Sequence, residues 1–132
     1  MTRLLVGTDG VRTSERLAGY LARTTTDGDE IYLVNSLLGG AETTTDDLTD
    51  GEEALETLVD ALGDQVVEQD QFVRGNHPVE DLLAAAETWG ADELVIGIRK
   101  RSPVGKLMFG STAQNVLLES DLPIRCVPLV SD

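Results

Sequence analysis

The chain has 132 residues, which is enough for one domain that buries a substantial hydrophobic core without disulfides or metal ions. It carries 24 acidic and 10 basic side chains, and its formal net charge is −14. Such a charge argues against general binding to nucleic acids or anionic membranes, because both are polyanions. One histidine and one cysteine cannot build a classical zinc cluster or an internal disulfide.

The composition also bears on habitat and location. Only two lysines occur, Lys100 and Lys106, and an acidic surface with so little lysine is typical of adaptation to high salt, where counterions screen the repulsion. The N-terminus does not resemble a signal peptide, and no apolar run approaches the ~18 residues that a membrane-spanning helix needs. We therefore expect a cytoplasmic protein with a single domain over residues 1–132 and no membrane or nucleic-acid partner.

The first half of the chain predicts two strands and one helix before a polar stretch. Leu4-Leu5-Val6 is a buried strand, and the turn after it carries Asp9. Thr13 or Ser14 can cap the helix that follows, whose apolar face extends to about Arg23. The second strand covers residues 31–34. Residues 37–51 have little apolar content and predict a loop, either an exposed insertion, which we favour, or a segment that closes over a ligand.

The second half continues the alternation of helix and strand. Leu55, Leu58, Val59 and Leu62 follow helical spacing, and Gly63 is a natural stop. The remaining predicted elements are a strand over 66–67 or more loosely 66–73, a helix from Pro78 to the stop at Gly90, a strand over 94–96, a helix from about Ser111, and a strand over 123–130. Pro128 places the last strand at the sheet edge. His77, just before a helix, is expected to be a capping neighbour and to have no chemistry.

A basic stretch follows the fourth predicted strand and precedes the fourth predicted helix. Residues 97–111 include Arg99, Lys100, Arg101 and Lys106, which are four of the ten cations within eight residues. Amide groups at a helix start, the helix dipole and flexible glycines all favour a phosphate group there. Alternatively, the cations only relieve repulsion in an acidic protein and the glycines only shape a turn.

The alternation of strands and helices predicts an α/β fold with a parallel sheet that is covered on both faces. Ligands in such folds bind beyond the carboxyl ends of the strands, where the strand order reverses. If strands one and four are neighbours, Asp9 and the loop after Gly97 converge there. The carboxylate would take a hydroxyl or amine, and the loop would take phosphates. Walker, dinucleotide-binding and nucleophile-elbow motifs are missing from the sequence.

The spacing within the basic stretch resembles that of nucleotide-binding members of the universal stress protein family. These members carry a glycine, two residues, a second glycine, nine residues, and then a glycine followed by Ser or Thr. Gly97, Gly110 and Ser111 match this pattern, whereas Lys100 replaces the second glycine. The similarity spans nearly the whole chain. It implies an open, doubly wound, Rossmann-like sheet of five parallel strands in the order 3-2-1-4-5, with helices on both faces.

The resemblance also implies a ligand, which is ATP or a related adenine nucleotide, with or without Mg²⁺, in the crevice between strands one and four. The positions that match adenine and ribose contacts are Gly7, Thr8, Asp9, Ser36, Ile96 and Gly97. The positions that match phosphate contacts are Arg99, Lys100, Gly110, Ser111 and Thr112. Lys100 could crowd the phosphates or could replace the lost contact with its ammonium. Ser36 stands where the family often has an apolar residue.

Two functions from different classes follow from the resemblance. One is a stress-response regulator that binds an adenine nucleotide and hydrolyses it slowly at most, since no general base other than Asp9 is evident. The other is an interaction protein of the same fold that binds no nucleotide. Both imply a homodimer through residues 124–130, because an open apolar edge strand invites aggregation unless another strand pairs with it.

Overall fold

The computed structural model describes residues 1–37, 44–73, 78–99 and 111–129. The strands are β1 (Arg3–Gly7), β2 (Glu30–Leu37), β3 (Val66–Val73), β4 (Glu93–Arg99) and β5 (Ile124–Leu129). The helices are α1 (Val11–Thr24), α2 (Thr45–Leu62), α3 (Pro78–Trp89) and α4 (Ser111–Glu119), and a short 3₁₀ helix (Gly63–Gln65) follows α2. All five strands form one parallel sheet in the order β3-β2-β1-β4-β5. The predicted fold class, the strand order and the edge position of the last strand are confirmed, and so is the longer range of the third strand.

Both faces of the sheet are covered, which explains the continuous apolar runs in its central strands. Leu4 and Val6 of β1 join the cluster beneath α1 and α2, and Leu5 between them joins the cluster beneath α3 and α4. All three side chains are fully buried. Because successive strand residues point to opposite faces, a strand that lies between two helical layers must be apolar at every position.

The start of α1 differs from the prediction. The helix begins at Val11 with Gly10 as its N-cap, and no side chain caps it, so the predicted cap at Thr13 or Ser14 is wrong. Both hydroxyl side chains are buried within the helix. They bond to Asp9 and to the carbonyl of Ala54 instead, because tertiary partners are available to them.

The loop predicted over residues 37–51 is also wrong at residue 37 and over residues 45–51. Residue 37 ends β2, and α2 begins at Thr45. Thr44 and Asp47 form a capping box in which each side chain accepts a hydrogen bond from the backbone N–H of the other, at 3.1 and 2.9 Å. Acidic side chains in the first turn also favour the helix through its dipole, so α2 starts well before its apolar spacing does. Residues 38–43 lie outside the described residues.

A buried polar network connects α2 with the carboxyl ends of β1, β2 and β3. The side chain of Asn35 in β2 is almost fully buried, and its Nδ2 donates to the carbonyl of Thr8 at 3.0 Å. Its Oδ1 accepts from Nε2 of Gln71 in β3, also at 3.0 Å. The same nitrogen of Gln71 donates to the carbonyl of Leu48 in α2 at 2.9 Å. The network therefore holds the turn after β1 in a fixed relation to α2.

Gly51 is required by this network. It lies in the interior of α2, where glycine is less favourable than alanine by about 1 kcal/mol. A Cβ atom at this position would overlap Oδ1 of Asn35 and Nε2 of Gln71. The glycine thus weakens the helix locally and leaves room for the hydrogen bonds beneath it.

We predict that Gly51→Ala destabilises the protein. The new methyl group would separate Asn35 from Gln71 and leave a buried polar group without a partner, which costs about 1–3 kcal/mol. Higher helix propensity offsets up to about 1 kcal/mol of this loss. We expect a net decrease of about 1–2 kcal/mol in the free energy of unfolding, measured by urea denaturation at fixed salt.

Gly19→Ala in α1 is the matched control, because nothing lies within 4 Å of a Cβ atom there. The same substitution in the interior of a helix should then leave the stability unchanged or raise it by up to about 1 kcal/mol. Equal effects of the two substitutions would contradict the role of Gly51.

Candidate functional site

The candidate site is the crevice that opens where β1 and β4 separate. The register between the two strands ends at Val6 and Val95. Beyond that point β1 stays paired with β2 through Gly7, and β4 stays paired with β5 through Arg99. The sheet therefore divides at its carboxyl edge, at the place where the strand order reverses. The predicted adjacency of strands one and four is confirmed.

Gly7 and Gly97 flank this crevice, one on each strand. A Cβ atom at Gly7 would lie 2.9 Å from Cδ2 of Leu82 in α3. A Cβ atom at Gly97 would lie 2.9 Å from Cδ2 of Leu129 in β5. Internal packing is thus a sufficient reason for both glycines, whether or not a ligand approaches them.

The turn after β1 is held at residue Thr8, which is buried. Its N–H donates to a carbonyl of β2 at 3.0 Å, and its own carbonyl accepts from Asn35. Its hydroxyl lies 2.7 Å from Oγ of Ser14, which in turn donates to the carbonyl of Ala54 in α2 at 2.8 Å. Bonds to β2, α1 and α2 therefore fix the backbone on which Asp9 sits.

Asp9 is the carboxylate of this turn, and its side chain is exposed. Its Oδ1 accepts a hydrogen bond from Oγ1 of Thr13, at 2.5 Å, in the first turn of α1. This bond orients the carboxylate. Such a group suits the acceptance of hydrogen bonds from a ligand hydroxyl or amine.

Ser36 lies near the end of β2, beyond Val34, the last residue of that strand that pairs with β1. Its hydroxyl donates to Oδ2 of Asp81 at 2.5 Å, and Asp81 is almost fully buried in the first turn of α3. This bond directs the Ser36 side chain toward α3. The link between the carboxyl end of β2 and α3 was not anticipated from the sequence.

The other predicted site residues fall partly outside the described residues. Ile96 is buried on the face of β4 that packs beneath α3 and α4. Arg99 ends β4, and α4 begins at Ser111 as predicted. Outside the described part of the chain lie Lys100, Gly110 and His77, and also the side chains of Arg99, Ser111 and Thr112.

The described side chains give no sign of metal or thiol chemistry. Among the described residues, no three His, Cys, Asp or Glu side chains are grouped so that they could hold a metal ion. Burial raises the pKa of the Cys126 thiol in β5, which keeps it in the protonated, unreactive form. In the described segments, no helix combines the length and the apolar character that crossing a membrane requires.

Sequence reasoning missed three polar residues that support the site, namely Asn35, Gln71 and Asp81, and gave Ser14 the wrong role. One signal was available, because Asn35 directly follows the apolar run of the second strand. A glycine within the helical region, Gly51, was another, since a glycine inside a helix often has a packing reason. Neither signal identifies the partner residues, which lie 27 and 36 positions from Asn35.

A family model described as the universal stress protein family matches residues 1–128 of the chain. A universal stress protein of Mycolicibacterium smegmatis is 51% identical over 53 residues, which are 40% of this chain and 41% of that relative. The match therefore spans about two fifths of the length of the curated relative.

Solved structures match over nearly the whole chain. The universal stress protein from Archaeoglobus fulgidus is 32% identical with a TM-score of 0.75, covering 96% of this chain and 98% of that one. A structure of the A. fulgidus universal stress protein in complex with dAMP is 26% identical with a TM-score of 0.68, at the same coverage of 96% and 98%. The family model matches residues 1–128, and the strand order of the sheet is the one expected for this family. The chain therefore belongs to the universal stress protein family.

Proposed function

We propose that this protein is a stress-response regulator that binds ATP or a related adenine nucleotide in the crevice between β1 and β4. The observation that carries the proposal is the division of the sheet at this point, with the fixed turn of Asp9 beside it. The complex of the A. fulgidus relative with dAMP supports an adenine nucleotide as the class of ligand.

The adenine and ribose would lie against the ends of β1 and β4. Their contacts are assigned to Gly7, Thr8, Asp9, Ser36, Ile96 and Gly97. Asp9 accepts a hydrogen bond from a ribose hydroxyl in this arrangement, since its exposed carboxylate is oriented by Thr13. Ser36 contributes through its backbone, because its hydroxyl is already bonded to Asp81.

The phosphates would lie toward the start of α4. We assign their contacts to Arg99, Lys100, Gly110, Ser111 and Thr112. The first amide groups of a helix are free to donate, and the helix dipole favours negative charge there. Mg²⁺, where it accompanies the nucleotide, would take most of its ligands from phosphate oxygens and water, as is usual for this ion.

Binding without rapid turnover fits the residues that we assign to the crevice. Hydrolysis requires a group that activates water, and the one carboxylate among these residues, Asp9, is assigned to the ribose. We therefore expect slow hydrolysis at most. The nucleotide then acts as a regulatory ligand of a cytoplasmic protein adapted to high salt.

A dimeric interaction protein that binds no nucleotide is the second candidate function. Two observations favour it. Lys100 stands where the family pattern has a glycine, and packing against Leu82 and Leu129 accounts for Gly7 and Gly97 without a ligand.

We predict that Asp9→Ala weakens the binding of an adenine nucleotide. The ribose hydroxyl would lose a charged acceptor, and a cost of about 1–3 kcal/mol corresponds to a roughly 5- to 150-fold increase in Kd. Isothermal titration calorimetry with ATP and with adenosine measures both values. The two ligands share the ribose, so both should be affected.

Asp64→Ala is the control for this variant. Asp64 is an exposed carboxylate beside the amino ends of the strands, so its removal changes the net charge equally and leaves the crevice intact. The Kd of the Asp64→Ala protein for the nucleotide should stay within about twofold of the value for the original protein. An Asp9→Ala protein that binds as tightly as the control would contradict the role of Asp9.

Variants of Lys100 distinguish its two possible roles. If its ammonium contacts a phosphate, Lys100→Ala weakens ATP binding more than adenosine binding, because adenosine has no phosphate. If the side chain obstructs the phosphates, Lys100→Gly strengthens ATP binding. Equal affinities of the original protein and both variants for both ligands would contradict each of these roles.

We also predict a homodimer through residues 124–130 that tightens as the salt concentration rises. β5 lies at the sheet edge, where its outer amide and carbonyl groups can pair with a second copy. The charge of −14 opposes association at low ionic strength, and at molar salt the Debye length falls to about 3 Å. Light scattering should report a larger dimer fraction in molar salt than in dilute buffer. A monomer at molar salt and high protein concentration would contradict the prediction.

A further inference from the structure

A groove outside the crevice lies between β3 and α3. It has a volume of about 360 Å³, which is within the usual size of small-molecule sites. It forms because α3 packs on β1 and β2, whereas β3 is the edge strand of the sheet. The groove is lined by three aromatic side chains, three carboxylates and small side chains of α3.

The aromatic wall of this groove is held in a fixed orientation. The rings of Tyr32 and Trp89 meet edge to face, with centroids 5.6 Å apart. The guanidinium of Arg3 lies 5.2 Å from the centroid of the Trp89 ring, and its Nη1 donates to the Trp89 carbonyl at 2.9 Å. The Tyr32 hydroxyl donates to Oδ2 of Asp70 at 2.6 Å. A wall that is already ordered loses little entropy when a ligand binds.

The charge in the groove is negative on both of its sides. Glu68 and Asp70 are two residues apart in β3, so their side chains point to the same face of the sheet, about 7 Å apart. Asp81 of α3 lies on the opposite side. The described residues that line the groove include no lysine or arginine. A site of this kind attracts cations.

The aromatic rings decide which kind of cation the groove suits. A bare divalent metal ion needs several oxygen ligands close together, and the described residues contain no such group. An organic ammonium can place its charge beside the carboxylates and its methylene groups against the aromatic rings. Two carboxylates on the same face of one strand, separated by one two-residue repeat, suit two neighbouring ammonium groups of a ligand that are joined by a short aliphatic segment.

We propose that this groove binds an aliphatic polyamine. Its ammonium groups pair with Glu68 and Asp70, and its methylene groups lie along Tyr32 and Trp89. The groove is separate from the nucleotide crevice and does not depend on the function proposed for it. The two sites are adjacent at Asp81, which lines the groove and accepts the hydrogen bond of Ser36.

The fluorescence of Trp89 tests the proposal directly, because it is the single tryptophan of the chain. Spermidine is titrated into the whole protein in molar KCl, where the non-specific attraction of the net charge is screened to about 3 Å. We expect a saturable change in fluorescence and a stoichiometry of one ligand per chain by calorimetry. A signal that does not saturate would overturn the proposal.

Two pairs of charge-removing substitutions distinguish binding in the groove from general attraction of spermidine to the net negative charge. Glu68→Gln with Asp70→Asn should raise the Kd of spermidine at least tenfold, while the side-chain amide introduced by Asp70→Asn still offers the Tyr32 hydroxyl an acceptor. Glu52→Gln with Glu53→Gln removes the same charge from exposed positions of α2, on the other face of the sheet, and should change Kd less than twofold. Equal losses in both variants would overturn the proposal.

A single substitution and two other cations complete the test. Glu68 is exposed, so Glu68→Gln alone leaves the fold intact and should still raise Kd severalfold. Mg²⁺ at the same ionic strength should not displace spermidine; if it does, the groove is a general cation site and the proposal fails. A lysine-containing peptide that binds where spermidine does not would show that the occupant is a protein and would also overturn it.

Discussion

The carboxyl edge of the sheet depends on the buried side-chain amide of Asn35. An amide in this position needs partners for both its nitrogen and its oxygen, because each unsatisfied group costs about 1–3 kcal/mol. The carbonyl of Thr8 and the side chain of Gln71 supply them. The same bonds require that α2 approach closely, which is possible because Gly51 has no side chain. The packing of α2 and the geometry of the Asp9 turn therefore depend on the same hydrogen bonds.

The buried hydrogen bonds around Thr8 also fix the backbone of the crevice. A binding site that consists of strand ends and turns has a defined geometry only when its backbone is held in place. Thr8 is held through its N–H, its carbonyl and its hydroxyl. None of these partners needs to touch a ligand. They position the turn from within the core, where water cannot compete for the hydrogen bonds.

The two proposed sites of this acidic protein would bind ligands of opposite charge. Four of the ten cations of the chain lie within residues 99–106, from the last residue of β4 onward, where phosphates would bind. The groove between β3 and α3 has carboxylates on both sides instead. The bond between Ser36 and Asp81 connects the edges of the two regions. A local cluster of cations can attract an anion to a strongly acidic protein, because the field close to the cluster differs in sign from that of the net charge.

The α/β class, the order of elements and the ends of most of them could be predicted from the sequence, because continuous apolar runs and helical spacing are local signals. The sequence also indicated the family, through the spacing of Gly97, Gly110 and Ser111. It misplaced the start of α2, whose first turn is stabilised by a capping box and by acidic residues and has no apolar pattern. It likewise placed a cap at Thr13 or Ser14, whose hydroxyls have tertiary partners instead. The contacts among Asn35, Gln71 and Gly51 could not be predicted in this way, because a hydrogen bond between side chains far apart in the chain produces no periodic pattern in either segment.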